Sequence, residues 1–372
     1  MLLCFAGVHP SCLVPKGAVL SRTQPDVAGI KAYDREGIKE LVADLGLPAF
    51  RAKQLEEWIY AKRASSYDEM TNLPKALRER LADDLPLYTA TIVEKLKSTD
   101  GTRKYVIRYN DGALVEAVGI PSKNRLTVCF STQAGCPMGC AFCATGKGGF
   151  LRNLAPGEIV DQVMLIGDDF GRRVTNAVAM GQGEPFLNYD ATLGALRFLN
   201  SPAGANIGAR HMTISTCGVI PMIRRLALEP EQFTLAVSLH SAVQKTRDKI
   251  MPGVSSYGLD RLRDSLVSYS EATGRRPTFE YALMFGVNDS PEERDALVEY
   301  CRKMLCHVNL IPLNKVEGSR FKPSDPSRLQ EFCDALNAKG IEATIRNSRG
   351  SDIQGACGQL LQDYSSKGSD TD

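Results

Sequence analysis

The stretch GCPMGCAFCATG, residues 135–146, places three of the chain's 11 cysteines within eight residues, in the spacing CxxxCxxC. A structural zinc site is usually closed by four protein ligands, often as two pairs, and no second pair is evident here. An iron–sulfur cluster also usually takes four cysteines, so Cys136, Cys140 and Cys143 alone would leave one iron with an open coordination position. An open iron can bind a small molecule and do chemistry on it. The alternative is three buried free thiols, which the tight clustering beside Gly and Pro disfavours.

Composition indicates a globular chain with one sizeable domain and appendages, since it has 372 residues, 43% of them hydrophobic and 24% charged. With a net charge of +2, a nucleic-acid partner must be held by a local patch. Residues 95–153 contain nine Lys and Arg against three acidic residues, which is such a patch or simply a solvated face. The odd, irregularly spaced cysteines favour a reducing compartment. Because the apolar start lacks a basic leader and is soon interrupted, we predict a cytoplasmic protein without a membrane segment.

The pattern before the cysteine cluster predicts a small helical domain followed by a hairpin. Residues 33–87 carry apolar positions at helical spacing, broken at GLP (46–48) and NLP (72–74). Residues 103–121, RKYVIRYNDGALVEAVGIP, alternate apolar and polar positions around an Asn-Asp-Gly turn.

Beyond the cluster, short runs rich in Val, Ile and Thr alternate with helical stretches, which predicts a parallel sheet or barrel. The runs are LTVCFST, VTNAVAM, HMTISTC, FTLAVSL, PTFEYALM and HVNLIPLN, with EATIRNS as a candidate extra strand. Polar or glycine-bearing stretches follow these strands directly. The carboxyl ends of the strands are the functional edge of an α/β barrel.

These motifs together resemble a known family. CxxxCxxC after the first barrel strand, with GQGEP after the second, resembles the radical S-adenosylmethionine (SAM) superfamily. LPAFRAKQLEEWIY, GCPMGCAFCATG, GARHMTISTCG, AVSLHS, CHVNLIPLN and SRGSDIQGACGQL are similar to the RlmN/Cfr family of RNA adenine methyltransferases. The resemblance covers residues 37–360 and implies an α/β fold: a partial (βα)6 radical-SAM barrel, a small helical N-terminal domain and a β-hairpin connector. The predicted segments are a flexible extension (1–31), the helical RNA-recognition domain (32–90), the connector (91–124), the barrel (125–348), and a catalytic-cysteine loop with a disordered tail (349–372).

The resemblance implies which residues hold the cofactors. The cluster ligands are Cys136, Cys140 and Cys143. The SAM-binding positions are Gly183, Glu184, Ser215, Ser238, Leu239, His240 and Asn314. Glycines let a backbone approach a ligand and a carboxylate can pair with an ammonium group. Taken alone, these positions are also compatible with a turn and ordinary strand-end residues. Gln182 stands where the family commonly has Met, which affects local packing more than the Gly-Glu contact.

Three further residues match catalytic positions of the family. Cys357, in the glycine-flanked GACGQL segment, matches the methyl-carrying cysteine, and Cys129 matches the cysteine that resolves the covalent intermediate. Glu116 matches the proton acceptor. The alternatives are a core cysteine at Cys129 and a solvent-facing strand carboxylate at Glu116. Cys217 matches no catalytic position and is interpreted as structural or incidental.

The resemblance implies an enzyme that forms 2-methyladenosine in 23S rRNA, near the peptidyl transferase centre, and in tRNA, at the adenosine 3′ of the anticodon. It further implies a [4Fe-4S] cluster, two SAM molecules per turnover and a flavodoxin-like electron donor, and a monomer is the default. One alternative is a Cfr-type enzyme, which methylates carbon 8 of the same rRNA adenosine and confers antibiotic resistance. Another is a non-catalytic iron–sulfur electron-transfer protein, which would have no use for both Cys129 and Cys357.

Overall fold

The computed structural model describes residues 29–360, except residues 34, 63, 203, 303 and 317. Most of the predicted N-terminal extension and the polar C-terminal tail therefore lie outside the described residues. The described chain begins with three helices: α1 (Arg35–Asp44), α2 (Phe50–Glu56), which continues as a π-helix (Glu57–Ala61), and α3 (Lys75–Asp84). Gly46 follows α1 with a left-handed φ of 69°, at the first predicted break. Pro74 precedes α3 at the second break.

Twelve strands occur in the described part of the chain. They are β1 (Ala90–Lys97), β2 (Arg103–Tyr109), β3 (Leu114–Pro121), β4 (Leu126–Cys129), β5 (Gln133–Gly135), β6 (Phe150–Asn153), β7 (Asn176–Ala179), β8 (Met212–Thr216), β9 (Thr234–Ser238), β10 (Thr278–Leu283), β11 (His307–Pro312) and β12 (Glu342–Ile345). Ten of these strands form one sheet in the order β1-β2-β3-β4-β7-β8-β9-β10-β11-β12, and β5 pairs with β6 separately.

The strands from β4 to β12 within the large sheet are parallel, and each lies beside the next one along the chain. Helices connect them, as expected for parallel strands. These helices are α4 (Ala144–Lys147), α5 (Pro156–Phe170), α6 (Tyr189–Asn200), α7 (Ile220–Leu226), α8 (Gln244–Ile250), α9 (Leu259–Thr273), α10 (Pro291–Cys301) and α11 (Pro326–Asn337). The six predicted strands are present, and the candidate extra strand is β12. This alternation of parallel strands and helices confirms the predicted α/β class.

The predicted hairpin is formed by β2 and β3, which pair antiparallel around Gly112, a residue with a φ of 84°. Its second strand also pairs antiparallel with β4, so that Val118 lies opposite Cys129. The hairpin is therefore continuous with the parallel sheet. It covers the edge of β4, the first of the parallel strands.

Strand β1 is not predicted by the sequence pattern. Val93 and Leu96 are exposed, and charged residues are interspersed without a clean alternation. A register shift between Ile92 and Glu94 disturbs the period further. An edge strand with little buried surface lacks the period-2 signal on which such predictions depend.

Helix α5 joins the N-terminal elements to the barrel. Its Asp161 is fully buried and accepts hydrogen bonds from Lys31 Nζ at 2.8 Å and from the Thr89 amide at 2.7 Å. Near the carboxyl end of the helix, Asp169 contacts side chains of β1 and β2. None of the helices in the described part of the chain is long and apolar enough to cross a membrane.

Candidate active site

The three clustered cysteines lie in the loop between β5 and α4, and all three line one cavity. Backbone hydrogen bonds hold this loop, from the Cys136 amide to the Gly149 carbonyl at 2.7 Å and from the Ala141 amide to the Ile250 carbonyl at 2.9 Å. A Cβ at Gly146 would approach the Cys140 amide nitrogen to 2.9 Å, so the compact turn of the loop requires glycine there. The loop therefore presents three thiols to one space.

The donor set fits a multi-iron cluster better than a single ion. Among the described residues, no three Cys, His, Asp or Glu side chains converge tightly enough to enclose one metal ion. The thiols are instead spread around a cavity wall, which suits a larger group with several metal atoms. Burial raises the pKa of Cys136 to about 12 and also raises that of Cys143. Metal binding would therefore have to displace protons from these two thiols.

Cys140 differs from the other two cysteines because a fourth thiol touches it. The Cys217 thiol hydrogen-bonds the Cys140 sulfur and lowers the pKa of Cys140, while this contact and burial raise the pKa of Cys217 well above its usual value. Cys217 lines the same cavity. From the sequence alone, Cys217 is interpreted as structural or incidental. Its position just after the strand run HMTIST was the signal that could have placed it at the cavity.

Six of the seven SAM-site candidates line this cavity from the ends of successive strands. They are Gly183, Glu184, Ser215, Ser238, His240 and Asn314. Leu239 is buried instead, and its amide donates to the Glu280 carbonyl at 3.0 Å. The arrangement follows from parallel strands, whose carboxyl ends meet at one edge of the sheet.

Glu184 is a buried carboxylate fixed by main-chain donors. Its two oxygens accept from the Phe186 amide at 3.0 Å and from the Cys217 amide at 2.7 Å. Burial raises the pKa of Glu184, and the hydrogen bonds oppose that rise. Gly183 has a φ of 100°, and a Cβ there would lie 2.6 Å from Gln133 Cβ. Glycine is thus required where the chain turns into the cavity.

Gln182 lies beneath this turn and is 1% exposed. Its main chain is well bonded, since the Thr132 amide donates to its carbonyl at 2.9 Å and the Ser131 hydroxyl accepts from its amide at 2.8 Å. Its side-chain amide has no hydrogen-bond partner among the described residues. The presence of Gln182 where the family commonly has Met thus affects the packing behind the loop.

His240 is held as a neutral imidazole. Its Nδ1 accepts from the Ala282 amide at 3.0 Å, which leaves the proton on Nε2. Burial, with a smaller contribution from Arg247, lowers the pKa of His240 to about 3. The edge of Phe142 packs against the ring at 4.8 Å between centroids. The histidine can therefore donate a hydrogen bond into the cavity but does not carry charge at neutral pH.

Cys357 reaches the cavity because its segment is bonded to the cysteine loop. The Asn314 side-chain amide donates to the Cys357 carbonyl at 3.0 Å, and the Ala144 amide donates to the Gly358 carbonyl at 2.8 Å. The side chain is exposed within the concave site. Desolvation by the neighbouring protein atoms raises the pKa of the Cys357 thiol, and the charge of Glu280 raises it further.

Cys129 and Glu116 lie beside the cavity rather than on its wall. Cys129 is 8% exposed and packs with Val118 and Leu360. Burial raises its pKa, and the charge of Cys357 contributes to that rise. Glu116 is 1% exposed and forms a 2.9 Å ion pair with Lys104. The alternative of a solvent-facing carboxylate is therefore wrong, because β3 turns this side chain inward.

Comparisons with known proteins agree with these features. Residues 29–86 match the family model of the ribosomal RNA large subunit methyltransferase N-terminal domain, and residues 130–304 match the radical SAM superfamily. A probable dual-specificity RNA methyltransferase RlmN of Alkaliphilus metalliredigens is 43% identical over 340 residues, covering 91% of this chain and 96% of the relative. The same-named protein of Synechococcus elongatus is 43% identical and covers 95% of this chain and 96% of the relative. A crystal structure of a radical SAM methyltransferase from Sphaerobacter thermophilus superposes with a TM-score of 0.87 at 44% identity, covering 90% of this chain and 99% of the other.

Proposed function

Since the chain belongs to the RlmN family of radical SAM RNA methyltransferases, we propose that it forms 2-methyladenosine in 23S rRNA, near the peptidyl transferase centre, and in tRNA, at the adenosine 3′ of the anticodon. The observation that carries this proposal is one cavity that presents Cys357 beside three clustered thiols. An electron-transfer protein would need the clustered thiols but not the separately anchored thiol of Cys357. The family relationship supports the enzyme over that alternative.

Carbon 2 of adenine demands an unusual site because it is electron-poor and bears a hydrogen, so it cannot attack a methyl donor directly. Cys136, Cys140 and Cys143 would hold the [4Fe-4S] cluster through three of its irons. Bound together, the cluster and SAM supply one-electron chemistry that can activate a C–H bond. Gly183 and Glu184 would receive the SAM amino group, since a fixed carboxylate pairs with an ammonium group.

The remaining SAM contacts would come from the strand ends Ser215, Ser238, Leu239, His240 and Asn314. The neutral imidazole described above offers a hydrogen-bond donor without competing for the positive charge of the ligand. Leu239 does not line the cavity, but it would hold its chain neighbours Ser238 and His240 in place at the cavity wall. The site is expected to use two SAM molecules per turnover, one as methyl donor and one with the cluster.

Cys357 would carry the methyl group. Its sulfur becomes nucleophilic once the thiol loses its proton, and the charge of Arg346 favours the thiolate. Once the one-electron chemistry of the site has removed a hydrogen atom from the carried methyl group, its carbon would form the bond to carbon 2 of a base that has been unstacked to reach the cavity. The adduct would then give up one electron. Glu116 would accept the proton from carbon 2. Its ion pair with Lys104 favours the ionised carboxylate that this role requires.

Product release would require the second thiol. The Cys129 thiolate would attack the Cys357 sulfur, which breaks the bond from that sulfur to the carbon on the base and forms a disulfide. The released carbon takes the electron pair of the broken bond and one proton, which completes the methyl group. The packing of Cys129 against Leu360, three residues beyond Cys357, supports this pairing. Each turnover then needs a thiol reductant for the disulfide and a low-potential donor such as flavodoxin for the cluster.

The decisive experiment is nucleoside mass spectrometry of rRNA and tRNA, purified separately from cells with and without the gene. We expect 2-methyladenosine to disappear from both pools in the deletion and to return on complementation. Standards for the carbon 2 and carbon 8 isomers decide between this function and the Cfr-type alternative. A lost carbon 8 signal, or no lost methyladenosine, would contradict the proposal.

A further inference from the structure

Arg247 is a buried cation that forms no salt bridge within the described part of the chain. It lies on α8, and its side chain is among the largest that are fully buried. Its Nη2 donates to the Cys217 carbonyl at 2.6 Å, and Nε donates to the Leu239 carbonyl at 3.3 Å. Nη1 is also buried and has no hydrogen-bond partner among the described residues. Its known contacts are thus to neutral carbonyl oxygens.

Such an arrangement is unfavourable unless an anion is added. Buried guanidinium groups are normally paired, because burying an uncompensated charge is strongly destabilising. A buried donor without a partner in an otherwise well-bonded structure indicates a missing water or ion. The carbonyl oxygens contribute only partial charges, so an anionic group is the better partner for a full positive charge.

The groups around Arg247 identify where that anion would lie. Among the groups whose charges act on the guanidinium are Cys217 and Cys140, and both line the cavity. Cys140 is one of the three proposed iron ligands. Three thiolates bring three negative charges to the cluster, so the thiolate-ligated cluster would add an anion on the cavity side of Arg247. The charge of the neighbouring Asp248 also acts on the guanidinium.

Cys217 would add a second interaction that stabilises a negatively charged cluster, on the side of the cavity where Arg247 lies. Its main chain is fixed at both polar groups, since its amide donates to Glu184 at 2.7 Å and its carbonyl accepts from Arg247. Its thiol lines the same cavity as Cys140, and a side-chain hydrogen bond from Cys217 is the largest influence on the lowered pKa of Cys140. A donor to a cluster sulfur and a nearby positive charge both stabilise the more negative, reduced cluster.

We propose, on the basis of the cluster site proposed above, that Arg247 and Cys217 are positioning residues that raise the reduction potential of the cluster. Arg247 acts by charge and Cys217 by a hydrogen bond to the Cys140 sulfur. Neither residue ligates iron or touches RNA. Their effect is to make the single-electron reduction of the cluster easier for a biological donor.

The test is a redox titration of the reconstituted full chain, followed by electron paramagnetic resonance of the reduced cluster. Arg247→Met should move the midpoint potential to a more negative value, whereas Arg247→Lys, which keeps the charge, should stay closer to the wild type. Arg328→Met is the matched control, because it removes the same charge from a surface ion pair with Glu331. Its midpoint should equal that of the wild type.

Cys217 provides a second pair of variants if Arg247→Met fails to fold. Cys217→Ala removes the donor and should lower the midpoint, while Cys217→Ser retains a donor and should restore most of it. Wild-type midpoints in both Arg247→Met and Cys217→Ala, at normal iron and sulfide content, would overturn this inference and leave the proposed function intact. A wild-type chain that assembles no cluster would overturn both.

Discussion

The Thr145 hydroxyl donates a 2.7 Å hydrogen bond to the carbonyl oxygen of Leu360, across 215 positions of sequence. Thr145 lies two residues after Cys143, the third clustered cysteine, and Leu360 lies in the segment that carries Cys357. The loop proposed to hold the cluster therefore also anchors the proposed methyl carrier. A change that loosens one of these two segments should therefore increase the mobility of the other.

Thr145→Val should loosen the Cys357 segment without changing the shape of the side chain. Loss of a partner for a buried carbonyl costs about 1–3 kcal/mol, so hydrogen exchange at residues 356–360 should speed up by about tenfold or more. Methylation should fall while the iron content stays normal. Hydrogen-exchange mass spectrometry measures the first effect and single-turnover assays the second.

Thr145→Ser is the matched control, because it retains the hydroxyl group that reaches Leu360. Its exchange rate and activity should lie near those of the wild type. Equal exchange in Thr145→Val and the wild type would show that the hydrogen bond does not restrain the segment.

Replacement of Cys136, Cys140 or Cys143 by alanine should each abolish cluster assembly and SAM cleavage. The site has three thiolate ligands and no spare one, since Cys217 contacts a ligand rather than replacing it. Iron and sulfide analysis with an anaerobic SAM-cleavage assay provides the measurement. Cys333→Ala is the control: that thiol is buried but contacts the Ala343 carbonyl outside the cavity. Retained SAM cleavage in any of the three loop variants would refute their assignment as ligands.

Cys129→Ala should trap a covalent protein–RNA adduct. In the proposed mechanism the carbon bond to RNA forms through Cys357, and Cys129 is needed only afterwards, to break the sulfur–carbon link. Protein purified from cells should therefore migrate more slowly in a denaturing gel until ribonuclease trims the RNA.

The double variant Cys129→Ala/Cys357→Ala tests whether the adduct depends on Cys357 or arises from a general loss of protein stability. It should show no adduct, because the carrier is gone. A Cys129→Ala protein that methylates RNA normally, or that is merely unstable, would mean that Cys129 serves only the core.

Asp169 should make stability depend on acid pH. Burial alone would raise the pKa of Asp169, but hydrogen bonds from Lys95, Tyr105 and Arg103 outweigh burial and lower it to about 2. A carboxyl whose pKa is lower in the folded state stabilises the protein above the unfolded pKa of about 4, and this contribution is lost as pH falls from about 4 towards 2. Because solvent screens this partly exposed carboxylate, the loss between pH 7 and pH 3 should amount to about 1 kcal/mol.

Chemical denaturation of the cluster-free chain at pH 7 and pH 3 measures that loss. Asp169→Asn should be less stable at pH 7 and should show a smaller change between the two pH values. Asp260→Asn is the control, since Asp260 is 88% exposed and pairs only with a neighbour on the same helix. An unchanged pH dependence in Asp169→Asn would rule out this carboxylate as the source.

The sequence was most informative where a local pattern determines the structure. Alternating apolar residues predicted the hairpin, and repeated strand–helix units predicted the parallel sheet with its polar strand ends. Because parallel strands share one functional edge, Glu184, His240 and Asn314 could be expected in one place. Their roles as SAM ligands remain predictions, as do the catalytic assignments.

Other features depend on contacts between distant segments, which no local pattern encodes. The docking of Cys357 depends on hydrogen bonds from Asn314 and from the cysteine loop. The importance of Cys217 and Arg247 becomes visible only when their neighbours are known. Strand β1 escaped prediction because its side chains are largely exposed and its period is broken.

The antiparallel pairing of β3 with β4 has a consequence for dissecting the molecule. A fragment that began near residue 125 would strip β4 of one neighbour and leave its backbone donors and acceptors bare. Exposed edges of this kind recruit strands from other molecules and promote aggregation. The hairpin covers the first edge of the parallel sheet, so the radical SAM part is not an independent module. Chimeras that exchange the barrel between relatives should fold only when the hairpin is exchanged together with it.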